Sequence, residues 1–392
     1  MTHDNPKPVR LPRPEQSFIE LQSLLIAPIK TSLLFAALKL SVFDLLSEPR
    51  SAEAVAEILK THPANTRVLL DGLAAFDLAL KRDGLYLNSA IASAFLVGDS
   101  PTFLGDYLAG QWRYIEPVLE DLMTLIVDGP PEEGAEYPED EQKSGSKSES
   151  KSKFKSRLNS RLNSKSSSTS SSQDDLARWA EAVAEYERAG IAQTVAELIG
   201  GLPEFPSLQK MLDLGGGPGL IGMAVVASHP TMRGVIFDLP PVAKVAEKFV
   251  RDFGMEDRME VVAGDFATDP LGQEYDLILA SASLYSSKHD LDSLIEKVYA
   301  ALNPGGIFAS LHEGLTSEKT KPEIMKLGWL PAELLGGDLA FERGEIRASM
   351  ERAGFLSVSS RTLDTSVGPM DLDVGRKLRR NIYPRSDGTW RL

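Results

Sequence analysis

The stretch that decides the fold is Met211-Leu212-Asp213-Leu214-Gly215-Gly216-Gly217-Pro218-Gly219-Leu220. An apolar run, typical of a buried strand, leads into four glycines, and an amphipathic stretch over 220–228 follows. Glycines let the backbone turn sharply and approach a ligand closely, beside the free N–H groups at the start of a helix. The pattern predicts a strand, a glycine loop and a helix that together bind a small ligand.

The residues around the loop narrow the choice of ligand. Asp213 lies two residues before the first glycine, where an apolar residue is usual before a nucleotide pyrophosphate. Asp238 ends the next predicted strand, where a carboxylate can bind ribose hydroxyls, and NAD would satisfy this position equally well. The dinucleotide pattern G-x-G-x-x-G is also present, at 217–222. Asp265 and Phe266 follow the third strand, where an acid can bind an exocyclic amine and a ring can cover a purine.

Strands alternate with helices through the second half of the chain. Helical stretches over 220–228, 242–253 and 290–302 lie between the first five strands, which is typical of a doubly wound, largely parallel sheet. The last two strands have no helix between them, which predicts an antiparallel hairpin at one edge. The predicted strands cover 210–214, 233–238, 259–263, 275–281, 306–312, 356–362 and 370–374.

The region before residue 129 is predicted to be mainly helical, with a small β element. Ser51 is a plausible N-cap for a helix through Leu59, and a second helix is expected over 65–78. A turn and strand over 81–87 resemble the wing of a winged helix.

A polar segment separates the two regions. Residues 143–173 are mostly Ser, Lys, Arg and Asn, with eight cations and one anion, Glu149. Such a segment cannot bury enough apolar surface to offset its ordering entropy, so we expect a disordered insertion. The expected organisation is a disordered tail (1–16), a winged-helix-like domain (17–128), an acidic then Ser/Lys-rich disordered insertion (129–173) and a ligand-binding α/β domain (174–392).

Composition excludes several classes of protein. The formal net charge of −14 argues against nucleic-acid binding, which requires Lys and Arg to neutralise phosphates. The absence of Cys excludes disulfides, zinc thiolate sites and iron–sulfur clusters. The polar start, 1–16, does not resemble a signal peptide, and Pro28, Lys30 and Lys39 interrupt the apolar stretch 21–40. We therefore expect a soluble, cytoplasmic protein without a membrane span.

Taken together, these motifs resemble the S-adenosylmethionine-dependent O-methyltransferases of the acetylserotonin and caffeate type. The resemblance implies a class I methyltransferase fold, a Rossmann-like doubly wound sheet with a C-terminal antiparallel hairpin, after a mainly α winged-helix domain. It also implies a homodimer through the N-terminal domain, S-adenosylmethionine as co-substrate, no metal and a small-molecule acceptor. The stretches that carry it are 33–59, 67–89, 212–219, 235–242, 263–266 and 301–306.

The resemblance assigns the contacts to S-adenosylmethionine and favours this cofactor over NAD. The residues implied are Asp213, Gly215 and Gly217 for the methionine part, Asp238 for the ribose, Leu239, Asp265 and Phe266 for the adenine, and Ser281 at the end of the fourth strand.

The catalytic base of the family is missing. In these enzymes the fourth strand leads into His-Asp-Trp, and the histidine deprotonates the acceptor hydroxyl. Here Tyr285 occupies that position counting forward from Asp276, and Leu284 does so counting back from the next helix. Because neither is a good base at neutral pH, we expect His312, at the end of the fifth strand, to transfer the proton. Tyr285 would then orient the acceptor, with Glu313 as a further catalytic candidate.

Three functions remain open. O-methylation of a small aromatic or conjugated acceptor is the first, and the apolar segment 315–345, which includes Trp329, would close over that acceptor. The missing histidine also allows C-methylation of a carbon nucleophile such as a tetrapyrrole. A non-catalytic, cofactor-sensing winged-helix regulator is the third, although the candidate recognition helix carries only Arg67 as a cation against Asp71 and Asp77.

Apolar residues in the first domain exceed what a small domain can cover, which predicts a dimer interface. They lie in helices expected over 17–46 and 101–126, and include Leu24, Leu25, Leu33, Phe35, Phe103, Leu104, Tyr107 and Trp112.

Overall fold

The computed structural model describes residues 15–131 and 170–379, with the side chains of residues 170–172 not described. Most of the two segments predicted to be disordered, 1–16 and 129–173, lies outside the described residues. A helix begins at Ser170, four residues before the predicted end of the insertion, and the domain boundaries stay a prediction. The chain divides into two compact units, one up to Gly105 and one from Asp106 onward.

The first unit is mainly helical. Its three short strands form an antiparallel sheet in the order β1-β3-β2, and the hairpin predicted as a wing is present. Ser51 caps α3 as predicted, since its Oγ accepts the N–H of Ala54 at 3.2 Å. The assignment of the whole unit as a winged helix stays a prediction. The elements are α1 (Ile19–Lys39), α2 (Val42–Leu45), β1 (Arg50–Ser51), α3 (Ala52–Leu59), α4 (Pro63–Ala75), β2 (Ala79–Arg82), β3 (Leu85–Asn88) and α5 (Ala90–Phe95).

Helix α1 runs through Pro28 without interruption. Within the described residues it is the one helix long and apolar enough to cross a membrane, judged by length and composition alone. Several of its large apolar side chains are exposed, among them Leu21, Leu24 and Leu25. An exposed apolar face of this kind usually marks an interaction surface.

The second unit contains a seven-stranded sheet in the order β6-β5-β4-β7-β8-β10-β9. The first five strands are parallel, and β9 and β10 form an antiparallel hairpin against β8, which confirms the predicted architecture. Strands β8, β9 and β10 are longer than predicted. The strands are β4 (Lys210–Leu214), β5 (Arg233–Asp238), β6 (Met259–Ala263), β7 (Tyr275–Ser281), β8 (Leu302–His312), β9 (Leu356–Thr365) and β10 (Gly368–Arg376).

Helices pack on both faces of this sheet, over two apolar clusters that include Ile236 and Leu279 on one side and Leu212 and Phe308 on the other. The carboxyl ends of β4 to β8 meet at one edge, and the strand order reverses between β4 and β7. Ligands bind at this switch point in doubly wound sheets. The helices are α6 (Gly105–Glu120), α7 (Leu122–Asp128), α8 (Ser170–Tyr186), α9 (Ala192–Gly200), α10 (Leu220–Ala227), α11 (Pro240–Asp252), α12 (Leu291–Ala301), α13 (Glu323–Leu334) and α14 (Glu345–Arg352).

Helices α6 and α7 group with the second unit, whereas the sequence analysis placed them in the first domain. A buried carboxylate explains this difference. Glu185 of α8 accepts the N–H groups of Asp106 at 3.1 Å and Tyr107 at 3.0 Å, at the start of α6. Tyr107 also stacks on Tyr186, with ring centroids 5.2 Å apart, so its ring packs inside this unit.

Candidate active site

The glycine loop between β4 and α10 is built around the buried side chain of Asp213. Three of its glycines have positive φ angles, +65° at Gly215, +58° at Gly217 and +85° at Gly219, which favour residues without a Cβ. Asp213 Oδ2 accepts the N–H of Gly222 at 3.0 Å and thereby holds the first turn of α10. Burial raises the pKa of Asp213 to about 7.

Asp238, at the end of β5, ties the loop to the sheet. Its Oδ2 accepts the N–H of Gly217 at 2.8 Å, and its Oδ1 accepts the N–H of Leu239 at 2.7 Å. Burial raises the pKa of this carboxyl as well. Asp238, which is predicted to bind the ribose, therefore lies directly beside Gly217, which is predicted to bind the methionine part.

The ends of β6 and β7 complete this edge. The Phe266 ring packs against Gly215, because a Cβ at that glycine would lie 3.0 Å from ring atom Cε1. Asp265, beside Phe266, accepts the N–H of Ala267 at 2.9 Å. Ser281 ends β7, and Ser283, which the sequence analysis missed, donates from Oγ to the carbonyl of Leu214 at 2.7 Å. The structure therefore brings the predicted cofactor residues to one edge of the sheet, while their individual roles stay predictions.

Glu187 is a second residue that the sequence analysis missed. It follows α8 in a π-helical turn, Glu187–Ile191, and is 4% exposed. Its Oε2 accepts the N–H of Leu220 at 3.0 Å and of Ile221 at 3.3 Å, at the start of α10. Burial, and then the charge of Asp213, raise its pKa well above the ordinary value. A glutamate near a helix end is usually solvated, so the sequence pattern contained no signal for this contact.

The structure does not support His312 as the proton acceptor. Its Nε2 accepts the N–H groups of Ser283 at 3.0 Å and Leu284 at 3.1 Å, so this nitrogen carries no proton and has its acceptor role filled. Its Nδ1 lies 2.9 Å from Ser310 Oγ. The imidazole is 2% exposed, and burial lowers its pKa to about 3. His312 therefore positions the segment after β7, which carries Tyr285.

Tyr285 and Glu313, by contrast, do lie together. The Tyr285 hydroxyl donates to Glu313 Oε2 at 2.5 Å, and the Trp329 indole N–H donates to Glu313 Oε1. Burial raises the pKa of Glu313 above its ordinary value, although both hydrogen bonds oppose this shift. Burial, and then the charge of Glu313, raise the pKa of Tyr285 well above 10. The tyrosine therefore stays protonated and keeps its hydroxyl as a donor.

Aromatic rings surround this pair. Tyr285 lies 4.7 Å from Trp329, 5.3 Å from His312 and 5.8 Å from Phe341, measured between ring centroids. The charge of Glu313 contributes to raising the pKa of Tyr186, so Tyr186 lies within electrostatic range of the carboxylate. Rings from α8, α13 and the segment after β7 thus lie around Glu313.

Comparison with known protein families identifies both units. A family model for the O-methyltransferase domain matches residues 174–334, and one for the O-methyltransferase dimerisation domain matches residues 23–98. Together they cover more than half of the chain. The chain belongs to the O-methyltransferase family. This methyltransferase is therefore an S-adenosylmethionine-dependent enzyme, and the alternative of a non-catalytic regulator is not supported.

Two curated relatives span most of the methyltransferase. The N,N-dimethyltransferase OxyT of Streptomyces rimosus is 28% identical over 341 residues, which are 86% of this chain and 90% of OxyT. The acetylserotonin O-methyltransferase of Bos taurus is 26% identical over 362 residues, 88% of this chain and 94% of the bovine enzyme. The crystal structure of human N-acetylserotonin methyltransferase with S-adenosylmethionine has a TM-score of 0.71 at 22% identity, covering 93% and 99% of the two chains, and shows the same fold.

Proposed function

We propose that the methyltransferase methylates a hydroxyl group of a small aromatic acceptor, and that Glu313 accepts the hydroxyl proton. The observation that carries this proposal is the Glu313 carboxylate, 5% exposed at the end of β8, held by Tyr285 and Trp329 among aromatic rings. His312 and Ser283 connect this group to the glycine loop, so the two reactants would meet where β7 and β8 end.

The loop fits S-adenosylmethionine by charge and by shape. Three buried or half-buried carboxylates, Glu187, Asp213 and Asp238, surround the glycines, which suits a ligand with a sulfonium and an ammonium group. When bound, this co-substrate supplies a methyl group already activated by positive sulfur, so the proposed reaction needs no metal. The residues of the loop bind and orient it, and positioning of this kind accounts for much of the rate of such a displacement.

The acceptor side supplies orientation and a base. A phenol with a pKa near 10 is mostly neutral at pH 7, so a carboxylate of raised pKa assists its attack. The acceptor oxygen bonds to the methyl carbon, the carbon–sulfur bond breaks with its electron pair left on sulfur, and the hydroxyl proton moves to Glu313. Tyr285 donates a hydrogen bond that fixes Glu313. The described contacts do not favour carbon over oxygen as the nucleophile.

Substitution of Glu313 by Gln tests this proposal. Turnover with S-adenosylmethionine and a panel of naphthols, catechols and hydroxyquinolines is followed by release of S-adenosylhomocysteine. We expect Glu313→Gln to lower turnover by about 10²–10⁴-fold, with calorimetric affinity for S-adenosylmethionine unchanged. Wild-type turnover should fall on acidification at a higher pH than an ordinary glutamate would cause, because a base must be deprotonated and the pKa of Glu313 is raised.

The matched control is Glu351→Gln, which removes an exposed carboxylate paired with Arg347 on α14 and should leave turnover unchanged. Turnover of Glu313→Gln within about twofold of wild type would contradict the role of Glu313 and favour an acceptor that is already nucleophilic, including a carbon nucleophile.

We also propose that the methyltransferase is a homodimer through the exposed apolar face of α1. The dimerisation-domain match and the exposure of Leu24 and Leu25, each 69%, support this. Light scattering should give a dimer mass for the wild type and a monomer mass for the double variant Leu24→Glu/Leu25→Glu. A wild-type monomer at micromolar concentration would contradict it. Cytoplasmic location and the lack of nucleic-acid binding stay predictions.

A further inference from the structure

Two glutamates at the end of α8 and just after it, Glu185 and Glu187, are bound in the same way but differ in surroundings. Each is buried, and each accepts two backbone N–H groups at the start of another helix. For Glu185 that helix is α6. For Glu187 it is α10, the helix that follows the glycine loop. Capping a helix start accounts for one oxygen of each carboxylate, because a helix N-terminus favours a negative charge.

The second oxygen of Glu187 faces the ligand side of the loop. A Cβ placed on Gly217 would lie 3.6 Å from Glu187 Oε1 and within 4 Å of no other atom. The space in front of Gly217 is therefore open, apart from this oxygen. Within the described residues, Oε1 accepts no hydrogen bond, so it is free to accept one from a ligand.

Negative charge predominates around Glu187 Oε1. The charged groups that act on Glu187 are the carboxylates of Asp213 and Asp238, and both raise its pKa. The backbone N–H groups of Leu220 and Ile221 oppose them. Buried carboxylates at such close range are costly unless a cation neutralises them. A ligand that carries a cationic nitrogen beside Gly217 would supply that neutralisation.

We propose that Glu187 binds the α-ammonium group of the cofactor's methionine part through Oε1, while Oε2 holds the start of α10. Glu187 thereby couples the amino-acid end of the ligand to the geometry of the loop. This inference rests on S-adenosylmethionine binding at the glycine loop. It predicts that Glu187 discriminates between ligands with and without the amino-acid group, whatever the acceptor is.

Calorimetry with three ligands tests the proposal without an acceptor. S-adenosylmethionine and S-adenosylhomocysteine both carry the ammonium group, whereas 5′-methylthioadenosine lacks the amino-acid part. Glu187→Gln should weaken binding of the first two by about 10- to 100-fold, the loss expected for a hydrogen bond between charged groups. Its affinity for 5′-methylthioadenosine should stay within about twofold of wild type.

Glu185→Gln is the matched control, because it removes the equivalent carboxylate from a helix start outside the loop, and it should bind all three ligands as the wild type does. Thermal melts establish that each variant is folded. If Glu187→Gln does not fold, Glu187→Asp and wild-type binding of N-acetylated S-adenosylhomocysteine replace it. Glu187→Asp should weaken binding of S-adenosylmethionine and S-adenosylhomocysteine but leave the affinity for 5′-methylthioadenosine unchanged. N-acetylated S-adenosylhomocysteine should bind the wild type at least 10-fold more weakly than S-adenosylhomocysteine does.

Equal weakening of all three ligands by Glu187→Gln would show that the glutamate only holds the loop, and unchanged binding would remove it from the site. Either result overturns the inference while S-adenosylmethionine binding stands. A wild-type protein that binds none of the three ligands would instead contradict cofactor binding at the loop.

Discussion

The two sides of the active site are built from different kinds of contact. On the cofactor side, carboxylates are held by backbone N–H groups: Asp213 by Gly222, and Asp238 by Gly217 and Leu239. On the acceptor side, the contacts of Glu313 join side chains from separate elements, Tyr285 after β7 and Trp329 on α13.

Because of this difference, substitutions affect the contacts of the two sides differently. Every residue except proline has a backbone N–H, so a carboxylate that is held by backbone N–H groups keeps its contacts through most substitutions of the donor residues. A contact between two side chains changes when either residue changes. OxyT and the bovine relative are named for methylation of nitrogen and oxygen, respectively, although both resemble this chain over most of its length. Function of this kind resides in the site and not in the fold.

On the cofactor side, the expected effect is a loss of affinity. Asp238→Ala removes the acceptor for the N–H groups of Gly217 and Leu239 and the proposed ribose ligand, so affinity for S-adenosylmethionine should fall by about 10- to 100-fold in calorimetry. Asp252→Ala, an exposed acid on α11 paired with Lys248, is the control and should not change affinity. Equal affinity of Asp238→Ala and wild type would remove Asp238 from the site.

The next effect is one of stability on the acceptor side. His312→Ala leaves the buried N–H groups of Ser283 and Leu284 without their acceptor, which should lower the free energy of unfolding by about 1–3 kcal/mol. Urea titrations of both proteins measure this difference. A stable His312→Ala protein with turnover reduced 100-fold would instead restore His312 as the proton acceptor.

The difference in free energy of unfolding between wild type and His312→Ala should also depend on pH. Burial lowers the pKa of folded His312 to about 3, whereas an unfolded histidine titrates near 6.5. Between these two pH values the unfolded chain binds a proton that the folded chain does not. The contribution of His312 to the free energy of unfolding is therefore complete above pH 6.5 and is lost as the pH falls towards 3. The stability difference between wild type and His312→Ala should shrink over that range.

The smallest effect is expected for Tyr285→Phe. Because Tyr285 orients Glu313 and does not accept a proton, its loss should cost about 0.5–1.5 kcal/mol in turnover, with affinity for S-adenosylmethionine intact. Tyr299→Phe is the control, since Tyr299 lies on α12 and packs against Phe355, away from Glu313. A loss as large as that of Glu313→Gln would mean that the proton reaches Glu313 through the phenol.

Much of the fold was predictable because its signals are local. Four of the seven strands, 210–214, 233–238, 259–263 and 275–281, have the predicted bounds, since local apolar runs set them, and in the first three a glycine or an acid marks the end. The sequence did not show that helices α6 and α7 group with the second unit, because their attachment to α8 depends on Glu185, 79 residues from Asp106. No local pattern reports a contact of that separation.

The sequence by itself determined the glycine loop and the acids beside it, whereas Glu187 reaches this loop only in the folded chain. Positive φ angles at Gly215, Gly217 and Gly219, and the acids near the ends of β4 and β5, are local requirements, so they are visible as a motif. Only the tertiary structure decided the acceptor side. His312 and Glu313 are adjacent in sequence and both buried, yet backbone N–H groups fill the acceptor nitrogen of the first, and side-chain donors hold the second as a carboxylate. Which of two neighbouring residues can accept a proton depends on partners brought from β7 and α13, and those partners meet only in the folded chain.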